Sequence, residues 1–307
     1  MAQHEHSQAA IPSAGPSVAI VGPGAIGTTV AAALHEVGRT PLLCGRRARP
    51  RLQLRADDGL IVVPGPVLVD PAQDVTRVDL VILAVKSTQV QGAAAWLSRL
   101  CHPGTVVCVL QNGVEQQAAV TPYVPGCLVV PAVVWFPAQV QPDESVWLRA
   151  KPCLTVPDVP AAGVVLDALR DTRCSVEAAA DFTSVAWRKL LQNAVAGLMA
   201  LSGRRSGMFG RPDISRLSLD YLHECLAVAR AEGAHLADDV PQAILDTFRA
   251  HPTDLGSSIL VDREANLPLE WDTRNGVIPR RGRAHGLPTP ISDIVVPLLA
   301  AASDGPG

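Results

Sequence analysis

The sequence predicts an α/β domain followed by an all-helical domain, and three observations support this fold class. In the first half of the chain, short β-branched apolar runs alternate with helix-like segments. A glycine-rich turn follows the first of these runs. From about residue 182 onward, helical periodicity dominates. We therefore expect an N-terminal Rossmann-type, doubly wound sheet over 17–180 and a C-terminal helical domain over 181–307, with a cleft between them.

The predicted strands of the first half differ in how deeply they should be buried. The run at 79–85 is continuously apolar, as in a central parallel strand that is covered on both faces. The other strand-like runs are 17–21, 41–44, 105–110 and shorter pieces within 52–70. Further runs over 127–156 are expected to form a mixed extension of the same sheet. The order of strands and helices is that of repeated βαβ units.

The second half is predicted to be helical throughout, because its apolar residues recur at helical spacing. The expected helices are 182–201, 216–236, 241–250, 257–265, 271–285 and 290–301.

Composition excludes several classes of protein. The 307 residues are 48% hydrophobic and carry a net charge of −3, which gives no basic surface for nucleic acid or an anionic membrane. No run of about 18 apolar residues indicates a membrane span. Residues 1–16, with His4 and His6, are interpreted as a flexible leader and not as a secretory signal.

The seven cysteines are scattered, and none forms a C-x-x-C pair. This pattern predicts free thiols in a reducing cytoplasm, with no disulfide framework and no metal site.

The glycine-rich turn reads Gly22-Pro23-Gly24-Ala25-Ile26-Gly27 and fits G-x-G-x-x-G between a strand and a helix. In this context the first glycine allows a tight turn, the second allows a pyrophosphate to approach, and the third allows close helix–strand packing. The amides of Ala25 and Ile26 would then face the anion. The alternative is a glycine-rich turn with no ligand.

The end of the second predicted strand favours NADPH over NADH. An NAD-binding chain usually has Asp or Glu near position 44, but this sequence continues with Cys44, Gly45, Arg46 and Arg47. A guanidinium pairs well with the 2′-phosphate of NADPH. The alternative is a solvated basic loop.

Three further positions are candidates for chemistry. Lys86 and Asn112 each follow a predicted strand, at the sheet edge where ligands of open α/β folds bind. Each could instead be an ordinary polar loop residue. Lys189 and Asn193 are four residues apart on an apolar helix and so share a face. Lys189 is either functional there or extends its ammonium to solvent.

Lysine is rare in this chain, which has 26 basic residues but only three lysines: Lys86, Lys151 and Lys189. Codon bias in a GC-rich genome explains the ratio. A retained lysine can nevertheless mark a position that needs an ammonium, because a guanidinium does not give up its proton near neutral pH. Lys151 has no predicted role.

Six ordered motifs carry a resemblance to a known family. They are GPGAIG at 22–27, AVKSTQV at 84–90, LQNGVE at 110–115, WRKLLQNA at 187–194, SSILVD at 257–262, and EWDTRNG at 270–276 with RAHGLPTP at 283–290. With these motifs the chain, from Ser17 to about Leu299, resembles the ketopantoate reductase (2-dehydropantoate 2-reductase) family of the 6-phosphogluconate-dehydrogenase-like superfamily.

The resemblance implies a two-domain enzyme that uses NADPH to reduce a 2-keto acid to a 2-hydroxy acid, above all ketopantoate to pantoate in pantothenate biosynthesis. By resemblance Lys189 is the general acid, and Glu270 is a second catalytic residue that contacts the substrate and the ammonium. Asn112 lies near the nicotinamide and the substrate, and Lys86 lies at the cofactor edge of the site. The resemblance also implies substrate contacts for Asn193 and Ser258. Asp262 has either a network role or a helix-capping role.

One departure from the family pattern concerns the substrate. A second asparagine usually follows the first by four residues, and here that position is Gly197. We expect the loss of this amide to enlarge the substrate pocket and to weaken recognition of the ketopantoate hydroxyl. An alternative function is therefore reduction of a bulkier 2-keto acid or carbonyl in secondary metabolism. A non-catalytic NADPH sensor is a further alternative. The resemblance permits either a monomer or a homodimer through the helical domain.

Overall fold

The computed structural model describes residues 15–305. Most of the leader predicted over 1–16, including His4 and His6, lies outside the described residues.

The secondary structure follows the predicted order. In chain order the strands are β1 (Val18–Val21), β2 (Leu42–Cys44), β3 (Arg51–Ala56), β4 (Gly59–Pro64), β5 (Leu80–Leu83), β6 (Val106–Val109), β7 (Leu128–Pro131), β8 (Val133–Val134), β9 (Ala138–Val140), β10 (Val146–Leu148), β11 (Cys153–Pro157) and β12 (Ser175–Ala179). The helices are α1 (Ala25–Glu36), α2 (Val90–Leu100), α3 (Gln116–Val120), α4 (Ala162–Leu169), α5 (Phe182–Ser202), α6 (Pro212–Ala231), α7 (Val240–Ala250), α8 (Ser258–Glu264), α9 (Val277–Ala284) and α10 (Pro290–Ser303). The short helices α3 and α4 have no counterpart in the sequence prediction.

Five strands form a parallel sheet in the order β2-β1-β5-β6-β7. Every residue of β1, β5 and β6 is buried, in agreement with their continuous apolar runs. The chain leaves β1 toward β2 on one side and later enters β5 on the other side. Ligands of open α/β sheets bind at the carboxyl ends of the strands where the order reverses, which here is between β1 and β5. This confirms the predicted fold class.

The prediction of a single mixed sheet is wrong. Of the strands after residue 127, only β7 joins the parallel sheet. Strands β9 and β10 pair with the β3–β4 hairpin in a four-stranded sheet, whereas β8, β11 and β12 form a three-stranded sheet. The burial of β3 alternates, with Leu52 and Leu54 inside, so only one face of it can be covered. Such a strand suits a separate sheet packed on α1 and not the doubly covered parallel sheet.

Helix α5 is the centre of the helical part. It packs against α6, α7, α8 and α10, and most of its second half is buried on all sides. The Asp181 carboxylate accepts a hydrogen bond from the backbone N–H of Ser184 (3.1 Å) at its start, and Gly203 ends it in the left-handed conformation (φ 66°). Helix α5 also contacts β8, β11 and β12, so it carries residues of the helical part to the face of the N-terminal part.

The predicted division between residues 180 and 181 falls between the end of β12 and the start of α5. None of the helices within residues 15–305 is long and apolar enough to cross a membrane. The seven cysteines are free, and four of them are fully buried.

Candidate active site

The glycine loop lies at the end of β1, where the strand order reverses. Gly22 has φ 90°, and a Cβ there would lie 2.5 Å from Cγ1 of Val85, which follows β5. A Cβ on Gly27 would lie 2.5 Å from the carbonyl oxygen of Gly22. Nothing lies within 4 Å of the Cβ position of Gly24. Close packing therefore requires glycine at positions 22 and 27, while Gly24 leaves one side of the loop open.

Helix α1 starts in this loop without a side-chain cap, since Gly24 is its N-cap residue. The first N–H groups of a helix, here those of Ala25 and Ile26, have no partner within it. Together with the positive end of the helix they favour an anion. The open side of Gly24 and these amides fit a pyrophosphate.

The loop after β2 supplies positive charge beside the glycine loop. Arg46 and Arg47 are exposed, and no Asp or Glu occurs over 45–56. Arg49, which the sequence analysis does not single out, donates from Nη2 to the carbonyl oxygen of Pro23. Its Nε is buried without a hydrogen-bond partner. The cationic loop fits a phosphate group better than it fits a bare ribose hydroxyl pair.

The motif residues converge at the carboxyl ends of β5 and β6. The side chains that meet there are Lys86 and Asn112 from the strand ends, Lys189 and Asn193 from α5, Ser258 and Asp262 from α8, and Glu270 from the segment before α9. Residues that are far apart in sequence therefore form one polar cluster between the two parts of the chain.

Glu270 is held by donors from the N-terminal part. Its side chain is buried, with 5% of the residue exposed. Oε1 accepts a hydrogen bond from the backbone N–H of Ser87 (2.9 Å), and Oε2 accepts one from Nδ2 of Asn112 (3.3 Å). Asn112 in turn accepts a hydrogen bond from Nδ2 of Asn193 (3.1 Å). Each carboxylate oxygen still has a lone pair available for a further donor.

Lys189 is a half-buried ammonium that lies over the ring of Trp135, with Nζ 5.0 Å from the ring centroid. The indole is fixed because its Nε1 donates to Oγ1 of Thr155 (2.8 Å). Burial lowers the pKa of Lys189 to about 8, and the nearby Arg274 cation contributes to the decrease. A lysine with this pKa can both hold and release a proton near neutral pH.

The direct contact between Lys189 and Glu270 that the resemblance implies is not formed. Among the ion pairs of residues 15–305, none joins the two side chains. The reason is geometric: Ser87 and Asn112 hold the Glu270 oxygens, whereas the ammonium faces Trp135.

Lys86 forms an ion pair with Asp262 and so joins β5 to α8. Asp262 is buried, and burial raises the pKa of its carboxyl group, while the Lys86 cation opposes that change. Of the two roles that the sequence leaves open for Asp262, the structure therefore places it in the polar network.

Gly197 does not line the cleft, so the prediction that its missing side chain enlarges the substrate pocket is wrong. A Cβ at this position would lie 2.8 Å from Nδ2 of Asn275 and 3.2 Å from Cδ1 of Leu299, inside the helical core. Asn275 is fully buried, and its Nδ2 donates to the carbonyl oxygen of Ala194 (2.9 Å) and to the hydroxyl of Tyr221 (3.1 Å). The space beside Gly197 is already filled by another amide.

The spacing and charge patterns of the sequence do not single out Arg274, although this residue lies within the EWDTRNG motif. Its side chain is buried, with only 2% of the residue exposed. Nη1 donates to Oγ of Ser258 (2.9 Å), and Nη2 donates to Oδ1 of Asn193 (3.3 Å). Arg274 follows Glu270 by four residues, the spacing of one helical turn, and that spacing is the signal that could have pointed to it.

The fold and the site together define a class of protein. A doubly wound sheet with an open glycine loop, next to a half-buried ammonium and a fixed carboxylate, is the arrangement of a two-domain oxidoreductase with a dinucleotide site. Two family models match the chain: "Ketopantoate reductase PanE/ApbA" over residues 18–161 and "Ketopantoate reductase PanE/ApbA C terminal" over residues 181–303. The chain belongs to the ketopantoate reductase family, whose members are NAD(P)H-dependent reductases that act on CH–OH groups.

Bacterial relatives match over nearly the whole chain. The 2-dehydropantoate 2-reductase of Mycobacterium tuberculosis (strain ATCC 25618 / H37Rv) is 57% identical over 291 residues, which are 94% of this chain and 99% of that protein. The 2-dehydropantoate 2-reductase of Caulobacter vibrioides is 34% identical over 288 residues, with 94% and 99% of the two chains covered.

Solved structures show the same fold. A dimeric ketopantoate reductase from Staphylococcus aureus superposes with a TM-score of 0.84 at 29% identity, covering 95% of this chain and all of that chain. A PanE/ApbA family ketopantoate reductase from Ralstonia eutropha JMP134 gives a TM-score of 0.84 at 29% identity, covering 94% of this chain and 98% of the other. D-mandelate dehydrogenase in complex with NADH, at 22% identity and a TM-score of 0.83, shares the fold.

Proposed function

We propose that this protein is an NADPH-dependent 2-dehydropantoate 2-reductase, which reduces ketopantoate to pantoate, a step of pantothenate biosynthesis. The observation that carries the proposal is the link from α5 to the Glu270–Asn112 pair: Asn193, one helical turn after Lys189, donates a hydrogen bond to Asn112, which donates to Glu270. The 57% identity to a mycobacterial protein of that name supports the choice of substrate.

The nicotinamide, when bound, supplies the hydride that reduces the keto carbon. The protein must then provide for the negative charge that develops on the keto oxygen. The Lys189 ammonium stabilises this charge and donates the proton, and its pKa of about 8 makes the transfer favourable near neutral pH. Lys189 cannot be replaced in this step by arginine, whose pKa is above about 12.

Glu270 and Asn112 orient the substrate in this proposal. The carboxylate is held by the Ser87 N–H and by Asn112, so its free lone pairs point in fixed directions. A substrate hydroxyl can donate to it without any rearrangement. Asn193 and Ser258 complete the substrate wall, and Lys86, held by Asp262, lies between the cofactor side and the substrate side of the site.

Arg46 and Arg47 are proposed to select NADPH over NADH through its 2′-phosphate, with the glycine loop holding the pyrophosphate. The Arg46→Ala/Arg47→Ala double variant should raise the KM for NADPH at least about tenfold and leave the KM for NADH nearly unchanged. Arg51→Ala, which removes an exposed arginine from the same basic stretch, is the matched control. An unchanged NADPH KM in the double variant would contradict the assignment.

The function is tested by following NADPH oxidation with a panel of 2-keto acids. The panel contains ketopantoate, its analogue without the 4-hydroxyl group, and branched and aromatic 2-keto acids. The highest kcat/KM is expected with ketopantoate, and the analogue should be worse, because it leaves a buried polar group unpaired. Better turnover of a bulky acid would favour the alternative function, reduction of a bulkier 2-keto acid. Gly197 no longer supports that alternative, because it lies in the helical core. Tight NADPH binding without turnover of any 2-keto acid would indicate the other alternative, a non-catalytic NADPH sensor.

We further propose a homodimer through the helical part. On α10, Ile294 and Leu298 are 64% and 53% exposed and four residues apart, so they form one apolar face. The related Staphylococcus aureus enzyme is dimeric. Light scattering should give the mass of a dimer, and Ile294→Lys/Leu298→Lys should give a monomer. Leu60→Lys, at an equally exposed leucine of β4, should not change the mass.

The free buried thiols agree with the cytoplasmic location expected from the sequence.

A further inference from the structure

Arg274 is a buried cation with an unusual set of partners. Its guanidinium donates to two side chains of the candidate substrate wall, Ser258 (2.9 Å) and Asn193 (3.3 Å). No ion pair within residues 15–305 includes it. Its Nε is buried without a hydrogen-bond partner. A buried cation without a carboxylate in contact is costly, and such groups are retained where another anion or a positioning task requires them.

The guanidinium fixes the direction of a chain of hydrogen bonds. Because it has only donors, Oδ1 of Asn193 must face it, and Nδ2 of Asn193 must point the other way, to Oδ1 of Asn112. Nδ2 of Asn112 then points to the Glu270 carboxylate, which only accepts. Both amides are therefore set by a donor-only group at one end and an acceptor-only group at the other. Turning either amide over would place donor against donor.

The same guanidinium sets the role of Ser258. Oγ of Ser258 accepts from Nη1 of Arg274, so the hydroxyl hydrogen remains free to be donated. Ser258 is exposed, and no other hydrogen bond of its hydroxyl lies within the described part of the chain. It therefore presents an O–H donor to the cleft, which suits a carboxylate or carbonyl oxygen.

The charges of the cluster favour an anion. The cations are Lys86, Lys189 and Arg274, and the carboxylates are Asp262 and Glu270. With Lys86 paired to Asp262 and one further carboxylate present, one positive charge is left over. A monoanionic ligand would bring the buried cluster to neutrality.

We propose that Arg274 is a positioning residue that acts through Ser258 and Asn193 and supplies the surplus positive charge by which the site selects a ligand carboxylate. This rests on the proposed function, because it assigns the acid group of the 2-keto acid to this end of the cleft. Arg274 does not need to touch the substrate, since it acts by fixing what its two neighbours present.

The experiment compares Arg274→Met, Arg274→Lys and the matched control Arg263→Met. Arg263 also lies close to the site in sequence and also bonds to α5, but through the backbone oxygen of Ala200 (2.6 Å) and away from the cluster. Binding of oxamate, a small mimic of a 2-keto acid that needs no turnover, is measured by calorimetry on the enzyme–NADP(H) complex. Thermal melting and NADPH binding are measured on each variant to separate positioning from folding.

Arg274→Met should weaken oxamate binding at least about tenfold and raise the KM for the best 2-keto acid by a similar factor, with a smaller change in kcat. Arg274→Lys keeps the charge and should recover part of both losses. NADPH binding should stay within about twofold, and Arg263→Met should resemble the wild type in all of these measurements.

Oxamate binding by Arg274→Met equal to that of the wild type would overturn the proposal, and so would equal losses in Arg263→Met. Failure of the wild-type complex to bind oxamate would overturn it as well. If the wild type binds oxamate but reduces no member of the keto acid panel, the proposed function fails, whereas the role of Arg274 is still decided by the variants.

Discussion

Replacement of Lys189 by methionine should make this protein more stable and nearly inactive. Methionine keeps a long, flexible side chain but removes the half-buried ammonium above Trp135. The two effects have one cause, because the burial that makes the ammonium a good acid also makes it costly to keep charged in the folded state.

The magnitude follows from the pKa of Lys189, which burial lowers from 10.5 to about 8. The unfolded chain therefore binds more protons than the folded one between these two values, and stability rises with pH across that window. Below about pH 8 the folded state bears the full cost of the charged group, and a pKa lowered by one corresponds to roughly 1.4 kcal/mol. After allowance for the partly exposed side chain, Lys189→Met should raise the free energy of unfolding by about 1–3 kcal/mol below about pH 8.

The assay is thermal or urea unfolding of both proteins at about pH 7 and about pH 10. The free energy of unfolding of Lys189→Met should exceed that of the wild type by the full amount at the lower pH. At the higher pH, where the folded wild type has lost the charge, this difference should fall to about a quarter. Comparing the two proteins at each pH cancels the titration of all other groups. Lys151→Met, at an exposed lysine with no contact in the site, should change neither value.

A Lys189→Met variant less stable than the wild type at about pH 7 would refute the reasoning, because the ammonium would then be held by net favourable contacts. The kinetic arm is independent: kcat should fall by about 10²–10⁴, the usual contribution of a general acid. A kcat near that of the wild type would remove Lys189 from the mechanism.

Three further predictions concern the site and the core. The kcat/KM for keto acid reduction should fall about tenfold per pH unit above about pH 8, because only the protonated Lys189 can donate; a profile that is flat above that pH would contradict the assignment. Gly197→Asn should lower the free energy of unfolding by about 1–3 kcal/mol, because its side chain meets Asn275, and leave the ketopantoate KM unchanged; a lower KM would restore Gly197 to the substrate wall. Gly24→Ala should melt like the wild type but bind NADPH at least about tenfold more weakly, whereas Gly27→Ala should lose about 1–3 kcal/mol of stability; the reverse pattern would contradict the roles assigned to the loop.

Local patterns in the sequence were sufficient for the parallel sheet and its loop. The run 79–85 predicts a strand buried on both faces, and the structure places Leu80–Leu83 at the centre of the sheet. GPGAIG predicts the turn after the first strand, where Gly22 and Gly27 leave no room for a side chain. Such features are local, because a strand or a tight turn depends on residues adjacent in the chain.

The sequence was less informative about which elements meet. The strands after residue 127 could extend the parallel sheet, pair with β3 and β4, or form a sheet of their own, and the sequence pattern alone does not choose among the three. The surroundings of Gly197 are not encoded locally for the same reason, because its neighbour Asn275 lies far along the chain and its approach depends on how the helices pack.

The sequence by itself determined the order of elements, the phosphate loop, the family resemblance and the retention of a lysine at position 189. Only the tertiary structure decided that Trp135 underlies that lysine, that Glu270 is held by Ser87 and Asn112, and that Arg274 donates hydrogen bonds to Ser258 and Asn193. The physical reason is that a residue's burial and spacing are encoded locally, whereas its hydrogen-bond partners and its pKa depend on charges and dipoles that packing brings from distant segments.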